Sequence, residues 1–215
     1  MPLCIAIDFE TSDYLPESAC AVGLARVILP DGEGSSLSPA PKRADTPEHP
    51  GDPAHTDEAE RANGPGRIDG VFYSLIRPPS SRVRFTHIHG LTWPMLRDAP
   101  RFADIWPDMI AFIRGSGEHP GEPDFFVAHN APFDRKVLHA CCAKAGLPAP
   151  AAPFLCTLRG SRRALKLPSH SLNAVCAHCN IPLDHHHAES DALAAAALLL
   201  RLRALGLDLD VMRSG

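Results

Sequence analysis

The sequence predicts an α/β sandwich built on a mixed sheet. Strand-like apolar runs come first, at residues 3–9, 20–29 and 70–77, and helix-spaced and strand-like segments alternate after about residue 100. Strands followed by alternating helix and strand place helices against a sheet whose strands do not all run one way. The 215 residues, 45% of them hydrophobic, suit one domain with a single sizeable core.

The first run, LCIAIDF, reads as a mostly buried strand, CAVGLARVIL as a second and GVFYSLIR as a third. Between the second and third, at about residues 30–69, seven of the 22 prolines gather with glycines, serines and acidic residues. That stretch has almost no apolar periodicity and cannot bury enough surface to offset the entropy of ordering. A flexible insertion in a hairpin loop is expected there; an arm touching substrate or partner is the functional alternative.

After Pro100, a residue suited to a first helical turn, Phe102, Ile105, Met109, Ile110 and Ile113 recur at helix spacing. Pro107 inside that pattern is expected to kink it. DFFVAH at 124–129 predicts a short strand, followed by a helix over about 132–146 that closes at Gly146 and Pro148. Residues 153–157 can form a last strand, with helices near 158–166, 171–179 and 189–205. No internal repeat is present.

Composition narrows the function classes. No apolar stretch is long enough to cross a bilayer, and the N-terminus opens on a strand-like run instead of a secretory signal, so a cytoplasmic protein is expected. The net charge of −4 argues against a large basic patch that grips long duplex, but not against carboxylates that hold divalent cations for phosphates to meet. Seven cysteines make an odd count without a disulfide framework, so reduced, partly buried thiols are expected. Cys176 and Cys179 form a lone C-x-x-C. With Leu172 and Val175 they fit an apolar helix spacing better than a zinc or redox site.

Three segments carry chemistry. In IAIDFET, Asp8 and Glu10 stand two apart on a strand, so both carboxylates project to one side. Two like charges at the end of an apolar strand are costly unless something neutralises them, and a divalent metal is the ordinary answer. In FVAHNAPFD, a strand runs into His129 and Asn130, and Asp134 falls in the first turn of the next helix, where the helix dipole also favours an acid. In HHHAESDALAAAALLL, His186 precedes Asp191 by five residues at the start of a helix. Strand ends, capping and a solvated histidine loop explain each segment singly; their joint occurrence in this order is specific.

The three segments resemble the DnaQ-like, or DEDDh, exonuclease family, which includes the proofreading exonuclease subunit of bacterial DNA polymerase III. Asp8 and Glu10 match its first motif, Asp134 within His-Asn-x-x-Phe-Asp its second, and His186-x4-Asp191 its third. FTHIHGLT, FLCTLRGSRRAL and LPSHSLNAVCAHCNIPL resemble intervening segments, so the likeness covers nearly the whole chain outside 30–69. A histidine before the last aspartate, instead of a tyrosine, marks the h-type subgroup. The family spacing selects His186 and leaves the roles of His185 and His187 open.

The resemblance implies a ribonuclease-H-like sandwich with a five-stranded sheet whose second strand is antiparallel to the rest. It also implies a 3′→5′ exonuclease releasing nucleoside 5′-monophosphates. Asp8, Glu10, Asp134 and Asp191 would hold two divalent ions, Mg²⁺ or Mn²⁺, and His186 would serve as general base. By the same resemblance Phe9 and Thr11 line the terminal-nucleotide pocket, Asn130 and Phe133 lie beside it, and His89 to Leu91 form a wall; for Phe9 and Phe133 core packing is the alternative. The expected partner is nucleic acid with a 3′ end, single-stranded DNA before RNA, with a polymerase or repair protein as a further partner. A catalytically silent binding module is the alternative. Arg159, Arg162 and Arg163 are read as a solvated helix face that could also meet phosphates.

Overall fold

The computed structural model describes residues 1–30, 66–115 and 120–214. Strand β1 (Leu3–Thr11) pairs antiparallel with β2 (Ala19–Ile28), and β2 pairs antiparallel with β3 (Arg67–Leu75). On its other side β1 pairs parallel with β4 (Phe125–Ala128), and β4 pairs parallel with β5 (Phe154–Cys156). A two-residue strand β6 (Arg213–Ser214) adds antiparallel to β5, so the sheet order is β3-β2-β1-β4-β5-β6. The predicted mixed sheet and reversed second strand are present. The sheet has six strands, not five, because the chain's last described residues return to cover the β5 edge.

The expected third strand shifts toward the N-terminus. Arg67 to Asp69 belong to β3, so the proline-rich insertion ends before them, and its remaining expected span at 31–65 lies outside the described residues.

Side-chain size decides which layer packs on which face. Along β1, Leu3, Ile5, Ile7 and Phe9 face one core, while Cys4 and Ala6 face the other. The bulky face meets α3 (Phe102–Arg114) and α4 (Ala131–Ala145) through Ile105, Trp106, Met109, Ile113, Val137 and Leu138. Burial on both faces explains why β1 and β2 read as near-continuous apolar runs. Pro100 stands ahead of the α3 N-cap, Arg101, outside the first turn expected for it. Helix α3 is continuous through Pro107. Buried Arg26, on β2, donates to the Phe112 and Ile113 carbonyls at 3.2 and 2.8 Å, at the negative end of that helix.

The small-residue face meets the longest helix, α7 (Ala188–Ala204), through Ala195, Ala196, Leu198, Leu199 and Leu202. Closeness peaks at Gly23, the cross-strand partner of Asp8. A Cβ built there would lie 2.1 Å from the Ala188 carbonyl oxygen. Only glycine lets the first turn of α7 lie on the sheet at that point. Helices α1 (Thr86–His89) and α2 (Trp93–Leu96) shape the β3–α3 connection; α5 (Thr157–Ala164) and α6 (Leu172–Cys179) follow β5; and α8 (Leu209–Met212) precedes β6. All seven cysteines are free, and Cys176 is buried with Leu172 and Ala194.

Gly23→Ala is expected to push the start of α7 off the sheet and to destabilise the fold by about 1–3 kcal/mol, the range for overpacking a tight contact. Urea denaturation checks it; an unchanged midpoint would show that the helix start relaxes freely.

Candidate active site

At the C-terminal end of β1, Asp8 and Glu10 emerge on the α7 face, as strand periodicity requires. The close approach at Gly23 brings Asp191, in the first turn of α7, over them. Carboxylate oxygens of Asp8, Glu10 and Asp191 all lie within 4.8 Å of one another. Asp134, in the first turn of α4, is buried, and its Oδ1 accepts the Phe9 N–H at 3.1 Å. Its charge is one of those that raise the Asp8 pKa.

Two backbone turns aim these groups. Asn130, the N-cap of α4, adopts φ +74°, so the chain passes from strand β4 into the helix across only His129 and Asn130. Asparagine tolerates this left-handed region better than most side chains. His186 adopts φ +68°, just ahead of α7. In that conformation its N–H donates to Asp191 Oδ2 at 3.2 Å while its ring lines the same cavity.

The cavity encloses about 540 Å³ and is lined by Asp8, Phe9, Glu10, Thr11, His89, Asn130, Phe133, His186 and Asp191, among others. Most sequence-selected residues therefore converge. Phe9 lines the cavity but is nearly fully buried and belongs to the core, whereas Phe133 is 43% exposed. Leu91 is not a lining residue. Its N–H instead donates to His89 Nδ1 at 3.0 Å, which leaves Nε2 to carry the ring proton toward Cys20 Sγ, 3.8 Å away. Burial holds the His89 pKa below its ordinary value.

Sequence reading missed two lining histidines as site residues. His129 Nε2 donates to the His170 carbonyl oxygen at 2.9 Å, and its Nδ1 lies 3.0 Å from the Thr157 hydroxyl, which also reaches the Ala128 carbonyl oxygen at 3.4 Å. Burial lowers its pKa. His185 Nδ1 lies 3.1 Å from Asp191 Oδ2, and its ring stacks on that of His186 with centroids 3.8 Å apart. The run of three histidines was the visible signal, but not which members face inward. His187 turns away and stacks on Tyr73. Arg159 donates to the Arg213 carbonyl, and Arg162 and Arg163 are exposed.

Electrostatically the cluster is under-neutralised. Burial first, then the charges of Asp134, Asp191 and Glu10, push the Asp8 pKa well above the usual carboxylate range. Burial and Asp191 push Glu10 up to about 8. Asp134 and Asp191 are raised by burial, against the lowering effects of the Phe9 N–H and of His185 respectively. A set of oxygen donors that resist ionisation without a counter-charge fits hard divalent cations.

A match to the family model RNase_T, described as Exonuclease, spans residues 56–199 and so includes Asp134, His186 and Asp191. The strand bearing Asp8 and Glu10 precedes that stretch, and the fold joins it to the cluster. PolC-type DNA polymerase III of Thermotoga maritima is 30% identical over 129 residues, 59% of this chain and 9% of that protein. The Oceanobacillus iheyensis counterpart is 32% identical over 124 residues, 57% of this chain and 8% of that protein. The chain thus spans under a tenth of these curated relatives.

Two solved structures share the fold. Exonuclease X in complex with 5′ overhanging duplex DNA aligns with TM-score 0.58 and 22% identity, over 97% of this chain and 96% of that one. The nuclease domain of 3′hExo, a DEDDh family member bound to rAMP, aligns with TM-score 0.62 and 13% identity, over 99% and 96%.

A carboxyl whose folded pKa lies above its unfolded value binds extra protons in the native state, so its contribution to stability declines as pH rises. For Glu10 that window runs from about 4.5 to about 8. The chelated protein is therefore expected to melt at progressively lower temperature from pH 5 to pH 8, and Mn²⁺ to raise the melting temperature most at pH 8. Calorimetry with and without Mn²⁺ checks both; a Mn²⁺ effect independent of pH would contradict the carboxylate cluster as its site.

Proposed function

The chain belongs to the RNase_T exonuclease family, and from that premise we propose that it is a metal-dependent 3′→5′ exonuclease releasing nucleoside 5′-monophosphates, with single-stranded DNA as its first substrate class. One observation supports this reading above the others: the carboxylates of Asp8, Glu10 and Asp191 converge within 4.8 Å in a cavity that His186 also lines. Asp8, Glu10 and Asp191, with Asp134 beside Asp8, would hold two divalent ions, Mg²⁺ or Mn²⁺, which supply charge stabilisation on the phosphoryl oxygens and at the leaving 3′ oxygen.

The chain's own groups perform the remaining tasks. An imidazole nitrogen of His186 accepts a proton from the attacking water, a role suited to a ring whose pKa burial and the neighbouring His185 lower. His185 keeps the Asp191 carboxylate oriented through its Nδ1, 3.1 Å from Oδ2. Phe133, an exposed lining residue, offers a face on which a terminal base of any identity can stack. His89, with its Nδ1 occupied by Leu91 N–H, bounds the pocket as a fixed wall.

An exoribonuclease is the second reading. Its support is the likeness to 3′hExo bound to rAMP, since the carboxylate cluster itself does not discriminate sugars.

The deciding experiment incubates 5′-labelled DNA and RNA of one sequence with the protein and Mn²⁺ or chelator. A metal-dependent ladder shortening from the 3′ end is expected, and the faster substrate names the class. No shortening of either strand by the wild type would leave a silent binding module as the better account. Asp8→Asn and Asp191→Asn are each expected to abolish the ladder without unfolding the chain.

For the general base, His186→Gly is the cleaner replacement, because glycine accepts φ +68° without strain. A fall in turnover of about 10²–10⁴-fold is expected. His187→Ala is expected to stay within a few-fold of wild type, since that ring faces Tyr73. A larger loss at position 187 than at 186 would reverse the register.

A further inference from the structure

A second cavity, of about 580 Å³, plays no part in the chemistry above. Arg77, Arg97, Arg101 and Lys144 line it, with Trp93 on one wall and Glu17 as the only acidic lining residue. In a chain of net charge −4, four cations around one concavity are a local concentration of positive charge. Glu17 partly offsets Lys144, 3.7 Å away, and Arg97 contacts Asp98 in a pair exposed on both sides, which is worth little. Arg101 ion-pairs with no described residue.

The same elements wall both cavities. The end of β1 contributes Thr11 to the catalytic one and the β1–β2 connection that follows contributes Glu17 to the basic one, while the β3–α3 connection contributes His89 to one and Trp93 to the other. Helix α4 ties them together most directly. Its Phe133 lines the first cavity and its Lys144 the second, eleven positions on. At 3.6 residues per turn those two positions differ by only about 20° around the helix, and at 1.5 Å per residue they are about 16 Å apart. The cavities therefore open on the same face of α4. That span corresponds to about five stacked nucleotides at 3.4 Å each.

We infer that the basic cavity is a phosphate-backbone site for the strand whose 3′ end occupies the catalytic cavity, engaging it about five nucleotides upstream. The inference rests on the exonuclease reading for its substrate. Arginine forks match phosphate oxygens in pairs, and Trp93 adds a ring on which a base can stack. The volume suits one nucleotide, not a folded partner. Charge complementarity, and the placement of Phe133 and Lys144 on one face of α4, favour the strand over an acidic protein segment.

The test uses Arg97→Glu/Arg101→Glu, two exposed positions outside the catalytic cavity. Binding of fluorescent dT12 and dT3 is measured in chelator across a salt series, and cleavage of both in Mn²⁺. The double variant is expected to bind dT12 at least tenfold more weakly, with the slope of log K against log salt reduced by about 1.4, the value for two single-strand phosphate contacts. Its dT3 cleavage stays within twofold of wild type, because three nucleotides do not reach the cavity. Unchanged dT12 binding overturns the inference, and if heptaglutamate binding is lost instead, the cavity belongs to an acidic protein segment. A wild type that binds dT12 through this cavity but cleaves neither oligonucleotide would sink the exonuclease reading and leave the cavity standing.

Discussion

The approach of one helix to one strand sets the geometry on which the rest of the site depends. Helix α7 can start directly above Asp8 only because residue 23, opposite Asp8 on the neighbouring strand, has no side chain. That contact delivers Asp191 to Asp8 and Glu10. It also fixes where the chain must turn beforehand, and so where the three histidines fall. The alternation of large and small residues along β1 belongs to the same constraint, since a helix rich in alanine approaches closely only over Cys4, Ala6, Ala25 and Gly23.

Gathering four carboxylates this way opposes folding, and the fold offsets the repulsion in several small ways. Asp134 and Asp191 both occupy first helical turns, where the positive end of the macrodipole favours an anion. Asp134 takes the Phe9 N–H, and Asp191 takes the His186 N–H and the His185 ring. These bonds do not neutralise the cluster: all four pKa values remain raised, Asp8 by burial first and then by the other three charges. A site left short of positive charge by its own protein has its strongest contacts in reserve for cations and for what they bind.

Much of this was legible in the sequence because it follows from period and order. Two carboxylates two apart on a strand must share a face, and an acid three or four residues into a helix must sit at its positive end. What stayed hidden depends on tertiary approach. Nothing local distinguishes His185 from His187; the left-handed turn at His186 sends one ring to Asp191 and the other to Tyr73. Phe9 and Phe133 look alike as residues, yet strand alternation buries the first and a helix start exposes the second. The sixth strand was unreadable because two residues carry no period, and its pairing comes from the β5 edge it covers.

Net charge says nothing of where the charges lie. A total of −4 speaks against a broad basic surface, yet it averages over charges that the fold separates. The carboxylates collect at the end of β1, and four cations line a concavity at the far end of one α4 face. At physiological salt the Debye length is about 8 Å, roughly half the separation of about 16 Å along that helix. Each region therefore presents its own sign to a ligand. A polyanion at the arginine cavity would meet positive charge there and be largely screened from the carboxylates. Segregation of charge, more than its sum, decides whether an acidic protein can hold a polyanion.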